Sequence, residues 1–282
     1  MNKRINLKNL KMKKLSIIAC LTIAVSVFTF TSCSTDENQT VTNFNNLTMA
    51  DEFNTPGAPD PTIWDYNIGT GDNGWGNNDL QYYTDREENI VVEDGMLKIT
   101  ARQESFEGSG YTSSRILTKG KFEQQYGRWE ARIQMPWGQG IWPAFWMLGA
   151  DIDDNPWPQA GEIDVVEFRG QEPTTIYAGL HGPEYNGGEA VYKTYDLEND
   201  RFDTGFHIFG IEWGSGYVNF YVDDVLFNQI TPSDVPGEWV FDKPFFIIIN
   251  MAVGGNFGGS PNASTVFPQE MLVDYVRVYA AD

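Results

Sequence analysis

Short runs in which apolar and polar residues alternate dominate the chain between residues 47 and 278. Alternation with a period of two is typical of a strand with one buried face. The clearest runs are 96–101, 127–133, 218–222 and 273–279. Residues 245–253 are apolar apart from Asn250, which predicts a strand covered on both faces. The runs are separated by Gly, Asn, Asp and Pro, and no long helical pattern interrupts them. We therefore predict an all-β fold, a sandwich or jelly roll.

The first 32 residues do not follow this pattern. Six basic residues precede an apolar segment at 15–30, and small or polar residues follow. This order predicts a secretory signal peptide over 1–32, with translation starting at Met1 or at Met12. Residues 30–33 (Phe-Thr-Ser-Cys) resemble a bacterial lipobox, which predicts lipidation of Cys33. An ordinary signal peptide that ends near Ser32 is the alternative.

Two further regions follow the leader. Residues 33–46 are rich in Asn, Thr and Ser and lack hydrophobic periodicity, so we expect a flexible tether. Residues 47–282 contain no second linker and no repeat, which predicts one β-sandwich domain. The stretch 34–37 (Ser-Thr-Asp-Glu) resembles the surface-export signals of Bacteroidota lipoproteins. We expect an exported, lipid-anchored protein at the outer membrane or the cell surface.

Cysteine and charge content limit the partners of the domain. The two cysteines are Cys20 in the leader and Cys33, so the domain has no disulfide. Six of the 19 basic residues and none of the 39 acidic ones lie in 1–32, so 13 basic and 39 acidic residues remain, a net charge of −26. Such a surface repels phosphate backbones and argues against nucleic acid. Sulfated or uronic polymers are disfavoured for the same reason, whereas a neutral polymer is indifferent to the charge.

Three carboxylates share one predicted strand at 161–168 (Gly-Glu-Ile-Asp-Val-Val-Glu-Phe). Strict alternation would place Glu162 and Asp164 on one face and Glu167 on the other, with the apolar residues. Because burying an unpaired carboxylate is costly, we infer a β-bulge near 165–166 that returns Glu167 to the polar face. Two carboxyls about 5–5.5 Å apart would suit a retaining glycosidase, as nucleophile and acid/base. A solvent-facing acidic strand edge is the alternative.

A pair of tryptophans precedes this strand. Within 140–148, Trp142 and Trp146 share one face by the period of two. Two rings about 13 Å apart on the floor of a cleft would stack on the apolar faces of sugar rings. The alternative is that both tryptophans pack in the core.

Together these residues resemble glycoside hydrolase family 16, and within it the laminarinases. The family motif ExDxxE stands here as Glu162, Asp164 and Glu167. The resemblance extends over nearly the whole domain and includes 51–53, 74–84, 142–148, 180–183, 250–256 and 273–279. It implies a β-jelly-roll sandwich of two antiparallel sheets, with an open glucan cleft on the concave face.

The resemblance also implies roles for individual residues. Glu162 would be the nucleophile, Glu167 the acid/base and Asp164 an assisting carboxylate in retaining hydrolysis. The residues that would bind sugar are Trp142 and Trp146, on the non-reducing side of the cleaved bond, and Asn78 and His181, through hydrogen bonds. This chemistry requires no cofactor. Many family members carry one Ca²⁺ on the convex face, and the matching ligands here are main-chain oxygens of Glu52 and Gly95 and the side chain of Asp274.

The predicted function is therefore an endo-β-1,3-glucanase that acts on neutral β-glucan, and we expect a monomer. A mixed-linkage β-1,3-1,4-glucanase is the alternative within the enzyme class. Agar- and carrageenan-cutting relatives share the motif, but the acidity of the chain and the 142–148 segment argue against them. A non-catalytic glucan-binding lipoprotein on the same sandwich is the alternative from another class. Three carboxylates in one row argue against a pure binding protein.

Overall fold

Seventeen strands arranged in two sheets make up most of the computed structural model, which describes residues 42–282. In chain order the strands are β1 (Asn46–Asp51), β2 (Asp65–Tyr66), β3 (Gln81–Tyr83), β4 (Ile90–Glu93), β5 (Met96–Phe106), β6 (Ser109–Ser113), β7 (Arg115–Leu117), β8 (Gly127–Gln134), β9 (Ile141–Gly149), β10 (Glu162–Phe168), β11 (Thr175–His181), β12 (Val191–Asp196), β13 (His207–Gly214), β14 (Tyr217–Val222), β15 (Val225–Ile230), β16 (Phe245–Val253) and β17 (Gln269–Ala280). The helical segments of this range are a π-helical turn (Gly74–Asn78), a 3₁₀ turn (Gly187–Glu189) and the four-residue helix α1 (Gly255–Gly258). Within residues 42–282, no helix has the length and apolar character needed to cross a bilayer.

The two sheets contain ten and seven strands. The path through the ten-stranded sheet is β15-β14-β13-β8-β17-β5-β6-β3, with β1 added on β17 and β4 on β5. The order in the seven-stranded sheet is β12-β11-β10-β9-β16-β7-β2. The strand pairs are antiparallel except β3 with β6, which run parallel. The predicted all-β sandwich is confirmed, with this one parallel pair as the difference.

The alternating runs of the sequence form strands as predicted. Runs 96–101, 127–133, 218–222 and 273–279 lie within β5, β8, β14 and β17. In β14, buried and partly exposed residues alternate at every position, as expected for a strand with one covered face. All nine residues of β16 are buried, which confirms that this strand is covered on both faces.

The hydrophobic core lies between the two sheets. Fully buried side chains from both sheets form one cluster, which includes Trp129, Ile133, Trp213, Phe145, Ile163 and Ile249. The opposite face of β16 contributes to a second, smaller cluster, which contains Leu117, Phe246 and Ile248 and packs against Trp146. One side of the seven-stranded sheet therefore packs against the core. Its other side contains the small cluster and can present polar side chains elsewhere.

The first described residues are attached to the C terminus. The backbone N–H of Asp282 donates to the carbonyl of Asn43, and Asn45 Nδ2 donates to Asp282 Oδ2, both at 3.0 Å. The folded unit thus includes residues assigned above to the end of the tether. The predicted signal peptide (1–32), Cys33 and the tether up to residue 41 lie outside the described residues.

Candidate active site

The register of β10 against β9 contains the inferred bulge. Asp164 pairs with Trp146 and Glu167 pairs with Ala144, so two residues of β10 (165–166) stand opposite one residue of β9. The extra residue reverses the alternation, and Glu167 therefore points to the same side of the sheet as Asp164. The predicted bulge is confirmed at the predicted place. We call this side of the seven-stranded sheet the carboxylate face.

Burial agrees with this register. Ile163, Val165 and Val166 are buried in the core, whereas Glu162 and Glu167 are half-buried and reachable from the carboxylate face. The strand is therefore not a solvent-facing acidic edge. β10 lies inside its sheet between β9 and β11, so its backbone is hydrogen-bonded on both sides and holds the carboxyls rigidly.

His181 joins two of the carboxyls across the β10–β11 pair. Its Nε2 lies 3.0 Å from Asp164 Oδ2 and 3.6 Å from Glu162 Oε1. The backbone N–H of Gly187 donates to Nδ1 at 3.1 Å. A nitrogen that accepts carries no proton, so the neutral ring is protonated at Nε2 and donates to Asp164. His181 thereby lies beside the predicted nucleophile and its assisting carboxylate. The three side chains place potential metal-ligand atoms within 4.8 Å of one another.

Both predicted sugar-binding tryptophans lie on the carboxylate face and are half-buried. Trp142 Nε1 donates to Glu167 Oε1 at 3.0 Å, and its ring packs on Phe257 at a centroid distance of 5.2 Å. Trp146 Nε1 donates to Asn250 Oδ1 at 2.7 Å. The rings are thus fixed by their N–H groups while their faces stay partly open. This arrangement differs from that of a core tryptophan.

Arg115, on β7, was not singled out from the sequence. Its guanidinium lies between two indole rings, 4.7 Å from the centroid of Trp75 and 4.9 Å from that of Trp146. Its positive charge lowers the pKa of Glu162 and favours the ionised form of that carboxyl. A single Arg in a strand carries no sequence signal of this role, because the effect depends on how β7 aligns with β10 across the two strands between them, β9 and β16.

Burial raises the pKa of each of the three carboxyls to about 8. The charge of Asp164 raises the pKa of Glu162 further, whereas His181 and Arg115 lower it. For Glu167 the charge of Asp164 also acts upwards, and His181 and the hydrogen bond from Trp142 act downwards. Since like charges this close cannot all ionise, the cluster retains protons at neutral pH and releases them in coupled steps.

A family model described as glycosyl hydrolases family 16 matches residues 77–277. The chain belongs to glycosyl hydrolases family 16. This assignment confirms the family resemblance of the ExDxxE strand, and it makes the chain a glycoside hydrolase, whose chemistry requires no cofactor.

Relatives of this family 16 chain span most of its length. It is 41% identical over 243 residues to a β-glucanase of Rhodothermus marinus, covering 83% of this chain and 84% of the relative. It is 34% identical over 254 residues to an endo-1,3-1,4-β-glycanase of Rhizobium meliloti (strain 1021), covering 85% of this chain and 51% of the relative. The catalytic domain of an endo-1,3-β-glucanase (laminarinase) from Thermotoga petrophila RKU-1 has a TM-score of 0.81 and 45% identity, covering 86% of this chain and 100% of that structure.

Asn78, the fourth predicted sugar-binding residue, lies in a loop. It ends the π-helical turn in a left-handed conformation, is exposed, and donates from Nδ2 to Asn256 Oδ1 at 2.9 Å. The neighbouring Gly255 stands beside Trp142, because a Cβ on it would lie 3.1 Å from the indole ring. Asn78 therefore connects the turn to α1 at the border of the carboxylate face. Its contact with substrate stays a prediction.

Asp79 was missed by the sequence reasoning. Burial raises its pKa to about 6, and its Oδ1 has no hydrogen-bond partner among residues 42–282. A Cβ on Gly255 would approach that oxygen to 2.5 Å, so glycine is required beside it. The carboxyl lies next to the ring of Trp142, close to where a sugar bound on that ring would present hydroxyls.

The register brings the three predicted Ca²⁺ ligands to one place in the ten-stranded sheet. Asp51 of β1 pairs with Val276, just after Asp274, and Leu97 of β5 pairs with Val273, just before it. Glu52 and Gly95, which adjoin these two strands, therefore lie near Asp274. The carboxylate of Glu52 is engaged by Arg277 at 2.7 and 2.9 Å, which leaves its main-chain oxygen as the donor.

One side-chain oxygen of the predicted Ca²⁺ ligand Asp274 is already engaged. Asp274 Oδ2 accepts from Arg132 at 2.5 Å. Gly95 has a positive φ in the Asp94–Gly95 turn, and nothing lies within 4 Å of the position its Cβ would take. Oxygen donors are the ligands that Ca²⁺ prefers, and the residues present fit such an ion.

The burial of Asp164 has a consequence for stability. Its pKa in the folded protein is about 8, so the folded state holds a proton that the unfolded chain releases near pH 4. Stability contributed at this position is therefore lost as the pH rises from about 4 to about 8. An amide carries no charge and still accepts the hydrogen bond from His181.

We expect Asp164→Asn to have a higher melting temperature than the wild type at pH 8, by a few degrees, since one kcal/mol corresponds to about 2–4 °C in a domain of this size. The difference should shrink towards pH 4. Thermal denaturation followed by circular dichroism measures this, with the exposed Asp154→Asn as control. A wild type that is as stable as the variant at pH 8 would contradict the burial argument.

Proposed function

We propose that this family 16 chain is an endo-β-1,3-glucanase that hydrolyses laminarin-type glucan with retention of configuration. The observation that carries the proposal is the β10 bulge, which places Glu162 and Glu167 on one face beside two half-open tryptophan rings. The relatives named for β-glucan and β-1,3-glucan hydrolysis support the substrate class. A neutral glucan also suits a chain with this excess of acidic residues.

The two glutamates have different neighbours, which supports different roles. Arg115 favours the charged form of Glu162, as a nucleophile requires, whereas His181 acts on both glutamates in the same direction. Within residues 42–282 no Lys or Arg forms an ion pair with Glu167, and the charge of Asp164 favours its protonated form, as a general acid requires. Glu162 attacks C1 of the sugar while Glu167 protonates the leaving oxygen. Water then attacks C1, Glu167 takes its proton, and Glu162 leaves as a carboxylate.

Asp164 assists both glutamates in this scheme. It receives the hydrogen bond from His181 Nε2, and this hydrogen bond holds the imidazole against Glu162. When Asp164 ionises, its charge raises the pKa of Glu167 and thereby favours the protonated acid. Trp142 and Trp146 bind sugars on the non-reducing side, next to β7 and Arg115.

A mixed-linkage β-1,3-1,4-glucanase is the second candidate, because the Rhizobium meliloti relative is named for that linkage pair. Incubation with laminarin, barley β-glucan, agarose and carrageenan, followed by product identification, separates the possibilities. We expect oligosaccharides from laminarin and none from agarose or carrageenan. Faster release from barley β-glucan than from laminarin would favour the second candidate.

Removing the nucleophile tests the enzyme assignment. We expect Glu162→Ser to reduce kcat on laminarin by at least about 100- to 10,000-fold, because the covalent step is lost. Laminarin-oligosaccharide binding, measured by calorimetry, should persist because the tryptophans are intact. The exposed Glu87→Ser serves as control and should turn over normally. A protein that binds glucan but shows no hydrolysis even as wild type would be the non-catalytic binder instead.

The pH profile follows from the paired glutamates. Activity requires Glu162 ionised and Glu167 protonated, so kcat/KM on laminarin should be bell-shaped. Because the carboxyls titrate as a coupled cluster and burial raises the pKa of Glu167, the alkaline limb should lie well above the usual range of a glutamate. Because the charge of Asp164 raises that pKa, Asp164→Asn should move the alkaline limb to lower pH. Initial rates from pH 4 to 10 test both statements. A flat profile, or a limb that moves upwards in the variant, would contradict them.

We also propose a structural Ca²⁺ ion held by main-chain oxygens of Glu52 and Gly95 and by Asp274. Binding to the folded state alone raises stability, by about 2.7 kcal/mol at a hundredfold excess over Kd. We expect millimolar Ca²⁺ to raise the melting temperature and EDTA to lower it, whereas Asp274→Asn should abolish the difference. The control Asp154→Asn should respond like the wild type. Identical melting curves with Ca²⁺ and with EDTA would remove the ion from the account.

We propose further that the protein is exported, anchored through a lipid on Cys33, and monomeric. The leader and the lipobox-like residues 30–33 support the anchor. Expression of the full chain in a bacterium with lipoprotein processing should place it in the detergent phase of a Triton X-114 partition. Cys33→Ser should shift it to the aqueous phase. Equal partitioning of the two proteins would indicate an ordinary signal peptide.

A further inference from the structure

A straight row of cross-strand neighbours runs over the carboxylate face. Trp146 of β9 pairs with Asp164 of β10, which pairs with Gly179 of β11, which pairs with Tyr192 of β12. Directly paired residues in a sheet point to the same side, so Tyr192 projects from the same face as the carboxyls. The row ends there, because β12 is the edge strand of this sheet.

Tyr192 is an exposed aromatic residue at this edge. The residue is 58% exposed, and it is the most exposed aromatic residue within 42–282. Its ring lies 6.1 Å from that of Tyr177 at 52°, and this is its one aromatic contact within the described range. Such exposure of a large ring costs solvation free energy, unless a ligand covers the ring when it binds.

Gly179 places no side chain between Tyr192 and the carboxyls. A Cβ on this glycine would lie 2.4 Å from the carbonyl oxygen of Val191 and 2.6 Å from Tyr192 Cβ, so the position excludes any side chain. Asp164 therefore has no side chain beside it in the direction of β12.

The tyrosine next to the proposed acid is held in place. Tyr177 is the β11 partner of Glu167. Its hydroxyl donates to Glu172 Oε2 at 2.5 Å, and its ring meets Phe257 edge-on at 5.0 Å. The ring beside the acid is thus fixed, and Tyr192 continues its aromatic surface towards the sheet edge.

We infer that Tyr192 stacks on a sugar of the leaving-group half of the glucan, two or more residues beyond the cleaved bond. The inference rests on the proposed function. The tryptophans and Arg115 occupy the β9–β7 side of the carboxyls, so the other half of a chain crossing the strands lies over β11 and β12. Tyr192 is then a specificity residue that favours long chains over short ones.

The same surface holds the acceptor when the glycosyl–enzyme ester is broken. The ester between C1 and Glu162 is cleaved by the oxygen of water or by a hydroxyl of an acceptor sugar. Either oxygen forms the new bond to C1, its proton passes to Glu167, and Glu162 leaves as a carboxylate. A residue that binds the acceptor changes the ratio of transfer to hydrolysis. A residue that only supports the fold changes both reactions equally.

The experiment compares Tyr192→Ala, Tyr192→Trp and the control Lys193→Ala, which alters the next residue of β12 on the opposite face. Each is assayed on laminarin, on a p-nitrophenyl β-laminaribioside, and for transfer to added laminaribiose. The aryl substrate does not reach Tyr192, so it reports the catalytic pair and the tryptophan side alone.

We expect Tyr192→Ala to lower kcat/KM on laminarin and the transfer-to-hydrolysis ratio, each by about 3- to 10-fold, the size of one lost aromatic contact. Hydrolysis of the aryl substrate should stay unchanged, Tyr192→Trp should restore both values, and Lys193→Ala should match the wild type. An unchanged transfer ratio in Tyr192→Ala would overturn the inference while the function stands. Absence of hydrolysis of both substrates by the wild type would instead refute the proposed function.

Discussion

The chemistry of this chain depends on one extra residue in β10. Without it, alternation along the strand would send the third carboxyl into the core between the sheets, where an unpaired charge is not tolerated. With two residues of β10 opposite one of β9, Glu167 returns to the side of Glu162 and Asp164. A bulge interrupts the local hydrogen-bond ladder and therefore lowers the stability of the sheet. Pairing of the rest of β10 with β9 and β11, and burial of its apolar residues, offsets this loss. The rigidity of the sheet therefore sets the spacing of the carboxyls.

The second constraint is electrostatic. Three carboxyls on one row of a sheet are stable only if some retain protons, and burial raises their pKa values enough for this. The neighbours then decide which group ionises. His181 acts on both glutamates. Arg115, held between two indole rings, acts on Glu162, whereas Glu167 meets an uncharged N–H from Trp142. The burial of the carboxyls, which destabilises the fold at alkaline pH, thus accompanies a nucleophile and an acid side by side.

Much of this could be predicted from the sequence, because alternation along a strand is a local property. The strands, the doubly covered β16 and the bulge follow from the apolar pattern and from the cost of burying a charge. Arg115, Asp79 and Tyr192 could not be found in this way. Each acts through a neighbour on another strand or loop, and which residues become neighbours depends on strand order and register. The Glu52, Gly95 and Asp274 group rests on family resemblance, because main-chain ligands leave no pattern in side chains.

The most direct test of the account is the configuration of the first product. The roles proposed for Glu162 as nucleophile and Glu167 as acid/base require double displacement and therefore retention. Proton NMR during the first minutes of laminarin hydrolysis should show the β-anomer at the new reducing end, followed by slow conversion to the anomeric equilibrium. Initial appearance of the α-anomer would show single displacement and would contradict the roles assigned to Glu162 and Glu167.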